Sequence, residues 1–355
     1  MPDLKSQFQG AILGTAIGDA LGAPMEMLKP DQIESIYPDF NSTNLTYMDA
    51  RQGRRSANGY QPGQWTDDTQ LMIPIAWSII RQDSIDPKDV ANEYAVLFNR
   101  EPRRGWGRST VAVVERLIEG IPWNEAANEA FGKGNGAAMK CAPLGLMLAQ
   151  VMLHDNRAAI RHCLNSVVDV CAITHKTEGI IGGTLQSLLV ALAVLDDGSD
   201  LFEELAFAEN LLFDSTNFSD KAKKLAKLYR ITDIVEEGGA EPLAIDSWPT
   251  VAAVFYRIDK LVRKGQDPTR FLFKLIQQGG DCDTTGAMLG ALIGARYGIK
   301  CFPSKLVKGV EDSSSLLHIA SEMFDATTNI YLEYQGLDQR LKNSLTSRYQ
   351  RNGGS

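Results

Sequence analysis

Residues 8–22 read FQGAILGTAIGDALG, with glycine at positions 10, 14, 18 and 22. Residues four apart share one face of an α-helix, so the spacing predicts a helix with one side stripped of side chains. A glycine inside a helix costs about 0.5–1 kcal/mol relative to alanine. A row of them needs a reason, and very close approach of another helix is one. Such a helix is legible near the other end of the chain: residues 279–298, GGDCDTTGAMLGALIGARYG, repeat the spacing at Gly286, Gly290, Gly294 and Gly298. The two stretches are expected to pack together at the centre of one domain.

Between them, helical patterning covers residues 71–80, 87–98, 109–119, 137–151, 158–172, 179–195, 201–212 and 251–262, several of these with apolar residues at three and four spacing. Alternating β-branched runs joined by two-residue turns are nearly absent. The pattern predicts an all-α, single-domain orthogonal helical bundle over residues 1–315. A C-terminal helix, Leu317 to Leu341, and a polar tail should pack on it or extend from it over 316–355. Two breaks interrupt the periodicity. Residues 39–64 (DFNSTNLTYMDARQGRRSANGYQPGQ) form a polar insertion of the length typical of a lid, a partner-binding loop or a disordered segment. The second break is expected around Thr232 to Pro249.

Composition narrows the function. A chain of 355 residues with 44% hydrophobic content can bury a large core. A net charge of −8 disfavours binding to nucleic-acid backbones, which needs a basic surface. The chain shows no basic, apolar leader and no uninterrupted apolar run near the ~20 residues that cross a bilayer, so the expected compartment is the cytoplasm, with no membrane partner. Five scattered cysteines without a CxxC pair argue for reduced thiols and against a zinc ribbon, and four histidines form no HExxH or HxH pair. Any metal should have oxygen ligands, which points to Mg²⁺ or Mn²⁺.

Two acidic clusters supply such ligands. Thr66-Asp67-Asp68-Thr69 directly precedes the helical run QLMIPIAWSII, and Asp281-Cys282-Asp283-Thr284-Thr285 directly precedes the second glycine-striped helix. Capping explains each alone, because Asp and Thr are favoured N-cap residues and carboxylates are stabilised by the helix dipole. One cap needs one side chain, whereas the two clusters together offer four carboxylates and flanking hydroxyls. Two divalent cations would neutralise that charge, as in dinuclear hydrolases. Elsewhere, Gly132-Lys133-Gly134-Asn135-Gly136 precedes a helix; it is either a flexible turn or a phosphate cradle built from backbone amides and the helix N-terminus. Arg100 to Arg108 (REPRRGWGR), with Gly105 at its middle, is either a solvated loop or a pocket rim.

Five blocks in order, GAILGTAIGDALGAPME (10–26), WTDDT (65–69), GNGAAMKCAPLGL (134–146), Thr174-His175 and GGDCDTTGAMLGALIGARYG (279–298), resemble the ADP-ribosylglycohydrolase family, which includes the dinitrogenase reductase-activating glycohydrolases. The resemblance implies a helical bundle with two Mg²⁺ or Mn²⁺ ions at its centre, bound by residues matching Thr66, Asp67, Asp68, Asp281, Asp283 and Thr284. It implies an ADP-ribosyl hydrolase, with arginine as the expected acceptor and serine-linked or O-acetyl-ADP-ribose as alternatives. It also moves Gly134, Asn135, Gly136 and His175 towards substrate contact, although a lone histidine after an apolar helix is more often a buried hydrogen-bonding residue. Glu26 becomes a general acid or base, with Asp67 and Asp283 as the metal-binding catalytic carboxylates. The chain departs from the family pattern at Ala137, where Ser or Thr is common, and at Lys176, Thr177 and Glu178, where Pro or His is common. A different class of function is an immunity or regulatory protein that docks on an ADP-ribosyltransferase through the 39–64 loop and occludes it.

Overall fold

The computed structural model describes residues 2–41, 43–52, 55, 59–128, 132–154, 156–213 and 216–328. Among them there is no β-strand; two isolated bridges, Asn41 with Asn44 and Gly134 with Leu243, are the nearest approach to one. In chain order the helices are α1 (Leu4–Gly22), α2 (Pro30–Ile36), α3 (Asp67–Gln82), α4 (Pro87–Arg100), α5 (Arg108–Ile118), α6 (Trp123–Ala126), α7 (Ala142–Met152) and α8 (Arg157–Thr174). They continue with α9 (Thr177–Leu195), α10 (Leu201–Leu212), α11 (Phe218–Leu225), α12 (Ile231–Gly238), α13 (Ala244–Val262), α14 (Thr269–Ile276), α15 (Cys282–Tyr297) and α16 (Ser304–Gly309). Residues 313–328 form a further helix, α17.

The glycine-striped helices α1 and α15 are the axis of the fold. They run antiparallel with backbone against backbone: a Cβ built on Gly14 would lie 2.2 Å from the Gly290 carbonyl oxygen, and one on Gly18 would lie 1.9 Å from that of Gly286. No side chain fits such a gap, which explains why each stripe tolerates the entropic cost of glycine. The opposite faces are also covered, so both helices are buried almost throughout. One continuous hydrophobic cluster runs from Phe8 to Met323 and includes Leu316, Ile319 and Ala320 of α17.

Helix α9 is long and apolar enough to cross a membrane by composition, with a mean hydropathy of 1.7, but 83% of it is buried inside the protein. It is a core helix in the layer around the central pair.

The structure corrects three boundaries. The expected break at 232–249 instead holds α12 and the first turns of α13. Pro249 reads as a breaker but sits inside α13; the carbonyl it leaves without an intrahelical donor, that of Ile245, accepts from Lys221 Nζ at 2.8 Å. The helix expected from Ala137 begins at Ala142, with Pro143 in its first turn, the position proline favours. Helices α2, α11 and α14 are short enough to escape a periodicity reading. Of the expected C-terminal helix 317–341, residues 317–328 are helical and 329–341 lie outside the described residues.

Candidate metal centre

The antiparallel register of α1 and α15 places the site. Gly22, at the end of α1, meets the start of α15, where a Cβ would lie 2.3 Å from the Cys282 carbonyl oxygen. Glu26, just beyond, is held against the same turn by a reciprocal pair of backbone bonds: Met27 N–H donates to the Gly280 carbonyl at 2.7 Å, and Gly280 N–H donates to the Leu28 carbonyl at 3.0 Å. Gly279 and Gly280 have φ of +73° and +69°, and a Cβ on Gly279 would lie 2.0 Å from the Leu28 oxygen, so this junction requires glycine. Oxygens of Glu26, Asp281 and Asp283 thereby come within 4.8 Å of one another.

The other acidic turn is delivered by Asp19, a fully buried carboxylate on α1. Its oxygens accept the Thr66 N–H at 2.9 and 3.0 Å, the Thr69 N–H at 3.1 Å and the Thr69 hydroxyl at 2.7 Å. Thr66 is the N-cap of α3, and the N–H at the third helical position is one that an N-cap side chain ordinarily accepts. Here α1 caps α3 from outside, which releases Thr66 Oγ1 to donate to Asp68 Oδ2 at 3.0 Å. Asp281, the N-cap of α15, also leaves its own helix uncapped; its Oδ2 accepts from Asn135 Nδ2 at 2.6 Å. Capping therefore does not explain the carboxylates at either turn.

The two turns share one field. Burial raises Asp68 well above the usual carboxylate range, and the charges of Asp19, Asp67 and Asp281 add to it. Burial likewise raises Asp283 well above that range, reinforced by Glu26, Asp281 and Asp68 and opposed by Arg55. Asp67 is pushed up to about 7, first by burial, with Arg55 pulling the other way. Asp281 is pushed up to about 6, again chiefly by burial, against the hydrogen bond from Asn135. So many carboxylates close to neutrality indicate a missing positive charge. Among the described residues, Asp68 Oδ1 is buried without any hydrogen-bond partner. An orphaned carboxylate oxygen among other oxygen donors fits a divalent cation, which would ionise it, and Thr66, Asp67, Asp68, Asp281, Asp283 and Thr284 all lie at the two turns.

Arg55, from the polar insertion, supplies part of that charge. Its guanidinium lies 2.9 Å from Glu26 Oε2 and 3.2 Å from Asp283 Oδ2, and it donates to the Arg104 carbonyl at 3.1 Å. Gly105, expected at a substrate rim, packs against this guanidinium, where a Cβ would lie 2.6 Å from Nη1. Arg104 is structural. It pairs with Glu311 and lies 3.7 Å from the centroid of the Trp65 ring, bracing the turn that carries Thr66.

The glycine loop is pinned by Ala244 N–H donating to the Lys133 carbonyl at 2.9 Å. Because α7 starts at Ala142, its N-terminus does not reach this loop; the first turns of α9 and α13 do, with Gly179 N–H donating to the Gly132 carbonyl at 2.8 Å and Ala244 to that of Lys133. Asn135 Nδ2 donates to Asp281 Oδ2 and orients that carboxylate. His175 is buried beneath Gly134 and Gly136, where Cβ atoms would lie 3.5 and 3.1 Å from its Nε2.

Asp19, Arg55 and Lys140 escaped the sequence reading. Asp19 had a signal, a lone carboxylate inside an apolar glycine helix, as did Lys140, a lone cation in AAMKCAPLGL. Arg55 had none, because it is one of several arginines in a polar loop.

A helical bundle whose central glycine helices hold two opposed acidic turns presents a carboxylate-rich site that could hold metal ions. The profile of the ADP-ribosylglycohydrolase family matches residues 1–333, and the chain belongs to that family. Human ADP-ribosylhydrolase ARH3 is 25% identical over 354 residues, covering 90% of this chain and 94% of the relative. The ADP-ribosyl-dinitrogen reductase glycohydrolase of Rhodospirillum rubrum is 26% identical over 318 residues, covering 85% and 90%. A solved structure described as an ADP-ribosylglycohydrolase-related protein complex matches with a TM-score of 0.66 at 24% identity, over 92% of this chain and all of that one, and shows the same fold.

Proposed function

We propose that this protein is an ADP-ribosylhydrolase that uses two divalent ions, Mg²⁺ or Mn²⁺, to cleave the bond between ADP-ribose and a modified side chain, arginine first among the acceptors. The observation that carries the reading is the convergence of two acidic turns that do not cap their own helices, with Asp68 Oδ1 left buried and unpartnered. Thr66, Asp67, Asp68, Asp281, Asp283 and Thr284 would hold the ions. Bound there, a divalent pair supplies Lewis acidity towards ribose hydroxyls and water. Asp19 and Asn135 keep the two turns in register, by holding α3 and Asp281 respectively.

Cleavage passes through an oxocarbenium-like state, and the carboxylates of the centre stabilise positive charge at the sugar. Glu26, 27% exposed at its side chain, reaches both the acidic centre and solvent, as a proton-transfer group must. Preference for arginine is supported by Arg55, whose guanidinium lodges between Glu26 and Asp283: the site already accommodates the group that an ADP-ribosylated arginine would present.

Purified protein is incubated with arginine-linked, serine-linked and O-acetyl-ADP-ribose, with Mg²⁺ or Mn²⁺ and again with chelator. ADP-ribose release from the arginine-linked substrate, abolished by chelation, supports the reading. Faster release from another substrate overturns the acceptor, and release that survives exhaustive chelation overturns the metals. No release from any of them favours the occluding, transferase-binding function.

A further inference from the structure

Lys140 is 1% exposed, in the turn between the glycine loop and α7. An ammonium so buried needs partners, and among the described residues it has two. Its Nζ donates to Thr174 Oγ1 at 2.8 Å and lies 4.9 Å from the centroid of the buried Tyr94 ring. Thr174, the last residue of α8, is also fully buried, and its hydroxyl lies 2.9 Å from His175 Nδ1.

The directions of these bonds follow from the donor inventory. An ammonium can only donate, so the Thr174 oxygen accepts from Lys140. The hydroxyl proton must then find an acceptor, because buried donors are satisfied, and among the described residues the acceptor within reach is His175 Nδ1. The Nδ1 lone pair is thus occupied, and the ring proton sits on Nε2. Burial and the nearby charge of Lys140 hold the His175 pKa down to about 3, so the ring is neutral at any working pH. Gly179 closes on Cδ2, where a Cβ would lie 2.8 Å away, and Gly136 and Gly134 lie over the Nε2 edge, where Cβ atoms would come to 3.1 and 3.5 Å, so that Nε2 faces the backbone of the glycine loop.

We propose that Lys140 and Thr174 are positioning residues that hold His175 as its neutral Nε2–H tautomer, so that the ring donates a hydrogen bond to a diphosphate oxygen of ADP-ribose lying on the glycine loop. The ligand half of this rests on the function proposed above; the tautomer half does not. A neutral donor with a cation behind it serves an anionic oxygen over a wide pH range, without the switch near pH 6.5 of an ordinary histidine. The device has its own limit, since burial pulls the Lys140 pKa down to about 8, against the opposing influence of Cys171, Asp67 and Cys141. Above that pH the amine can itself accept the Thr174 proton, and the lock on His175 is released.

The test reads the imidazole directly. Long-range ¹H–¹⁵N spectra of ¹⁵N-histidine-labelled, ligand-free protein are recorded for wild type, Thr174→Val, Thr174→Ser and Lys140→Met, with His175 assigned by its loss in His175→Gln. Wild type and Thr174→Ser should show the neutral Nε2–H pattern at His175. Thr174→Val and Lys140→Met should show a tautomer mixture. ADP-ribose binding by calorimetry should weaken about tenfold in Thr174→Val, the loss of one hydrogen bond, recover in Thr174→Ser, and leave Mn²⁺ affinity unchanged. An Nδ1–H ring in wild type, or an unaltered Nε2–H ring in a folded Thr174→Val, overturns the tautomer lock. A tautomer shift without a change in ADP-ribose affinity overturns the ligand half, and wild type that binds no ADP-ribose contradicts the underlying functional reading while the spectra still decide the lock.

Discussion

The turns at 66–69 and 281–285 have almost the same composition and the same place at a helix N-terminus, yet the structure gives their carboxylates different partners. The first is held through its backbone, with Asp19 capping α3 from α1, and Asp68 keeps an oxygen without a partner. The second is held by backbone bonds at Gly280 and Asp281, and its carboxylates have side-chain partners, with Asn135 on Asp281 and Arg55 on Asp283. The first turn is thus a half-site whose carboxylates make no direct ion pair among the described residues, whereas the second carries a guanidinium that an incoming cation would displace. Equal-looking clusters contribute differently: one supplies geometry, the other exchanges charge.

The largest effect that would break this contrast is on turnover. Asp283→Ala removes a carboxylate from the centre; ADP-ribose release should become undetectable, and Mn²⁺ affinity should fall by more than the roughly 10–100-fold typical of losing an outer partner. Glu26→Gln should lower kcat by about 10²–10⁴-fold; a wild-type rate would remove its proton-transfer role.

Asp19→Ala probes the first turn's scaffold. It strands three buried donors, Thr66 N–H, Thr69 N–H and the Thr69 hydroxyl, at about 1–3 kcal/mol each, so urea unfolding should show a loss of at least several kcal/mol. A near-neutral change would mean that α3 is capped by something else. Arg55→Gln should have the mildest effect, tightening Mn²⁺ binding several-fold through loss of a competing cation; weaker binding would make Arg55 a structural part of the centre.

Proton uptake sharpens the same contrast. In metal-free protein Asp67 is pushed up to about 7 and Asp281 to about 6, above the ordinary unfolded value near 3.9. Between roughly pH 4 and 7 the native state therefore binds more protons than the unfolded one, and stability falls as pH rises through that window. Metal-free protein should melt at a higher temperature at pH 5 than at pH 8. Mn²⁺ needs the ionised carboxylates, so it should stabilise the protein at pH 8 far more than at pH 5. A metal-free melting temperature that rises with pH would contradict the uncompensated charge.

Much of the fold was legible because its decisive contact is a local repeat. Glycines four apart announce a helix face that only another backbone can cover, and Gly14 against Gly290 shows it covered. Both acidic turns were legible for the same reason, as excess carboxylate at predictable N-termini. What was illegible depends on partners distant in sequence. Asp19 reaches Thr66 and Thr69, Arg55 reaches Asp283, Lys140 reaches Thr174, and nothing in local spacing encodes those pairs. Pro249 misled because its orphaned carbonyl partner is rescued by Lys221, which belongs to α11.

The central claim is that the two turns form one divalent-metal site. Calorimetric titration of Mn²⁺ into metal-free wild type, Asp68→Ala and Asp283→Ala tests it most directly. Two bound ions in wild type, with binding impaired by either substitution alone, is the predicted result. No binding in wild type, or wild-type stoichiometry and affinity in both variants, would contradict it.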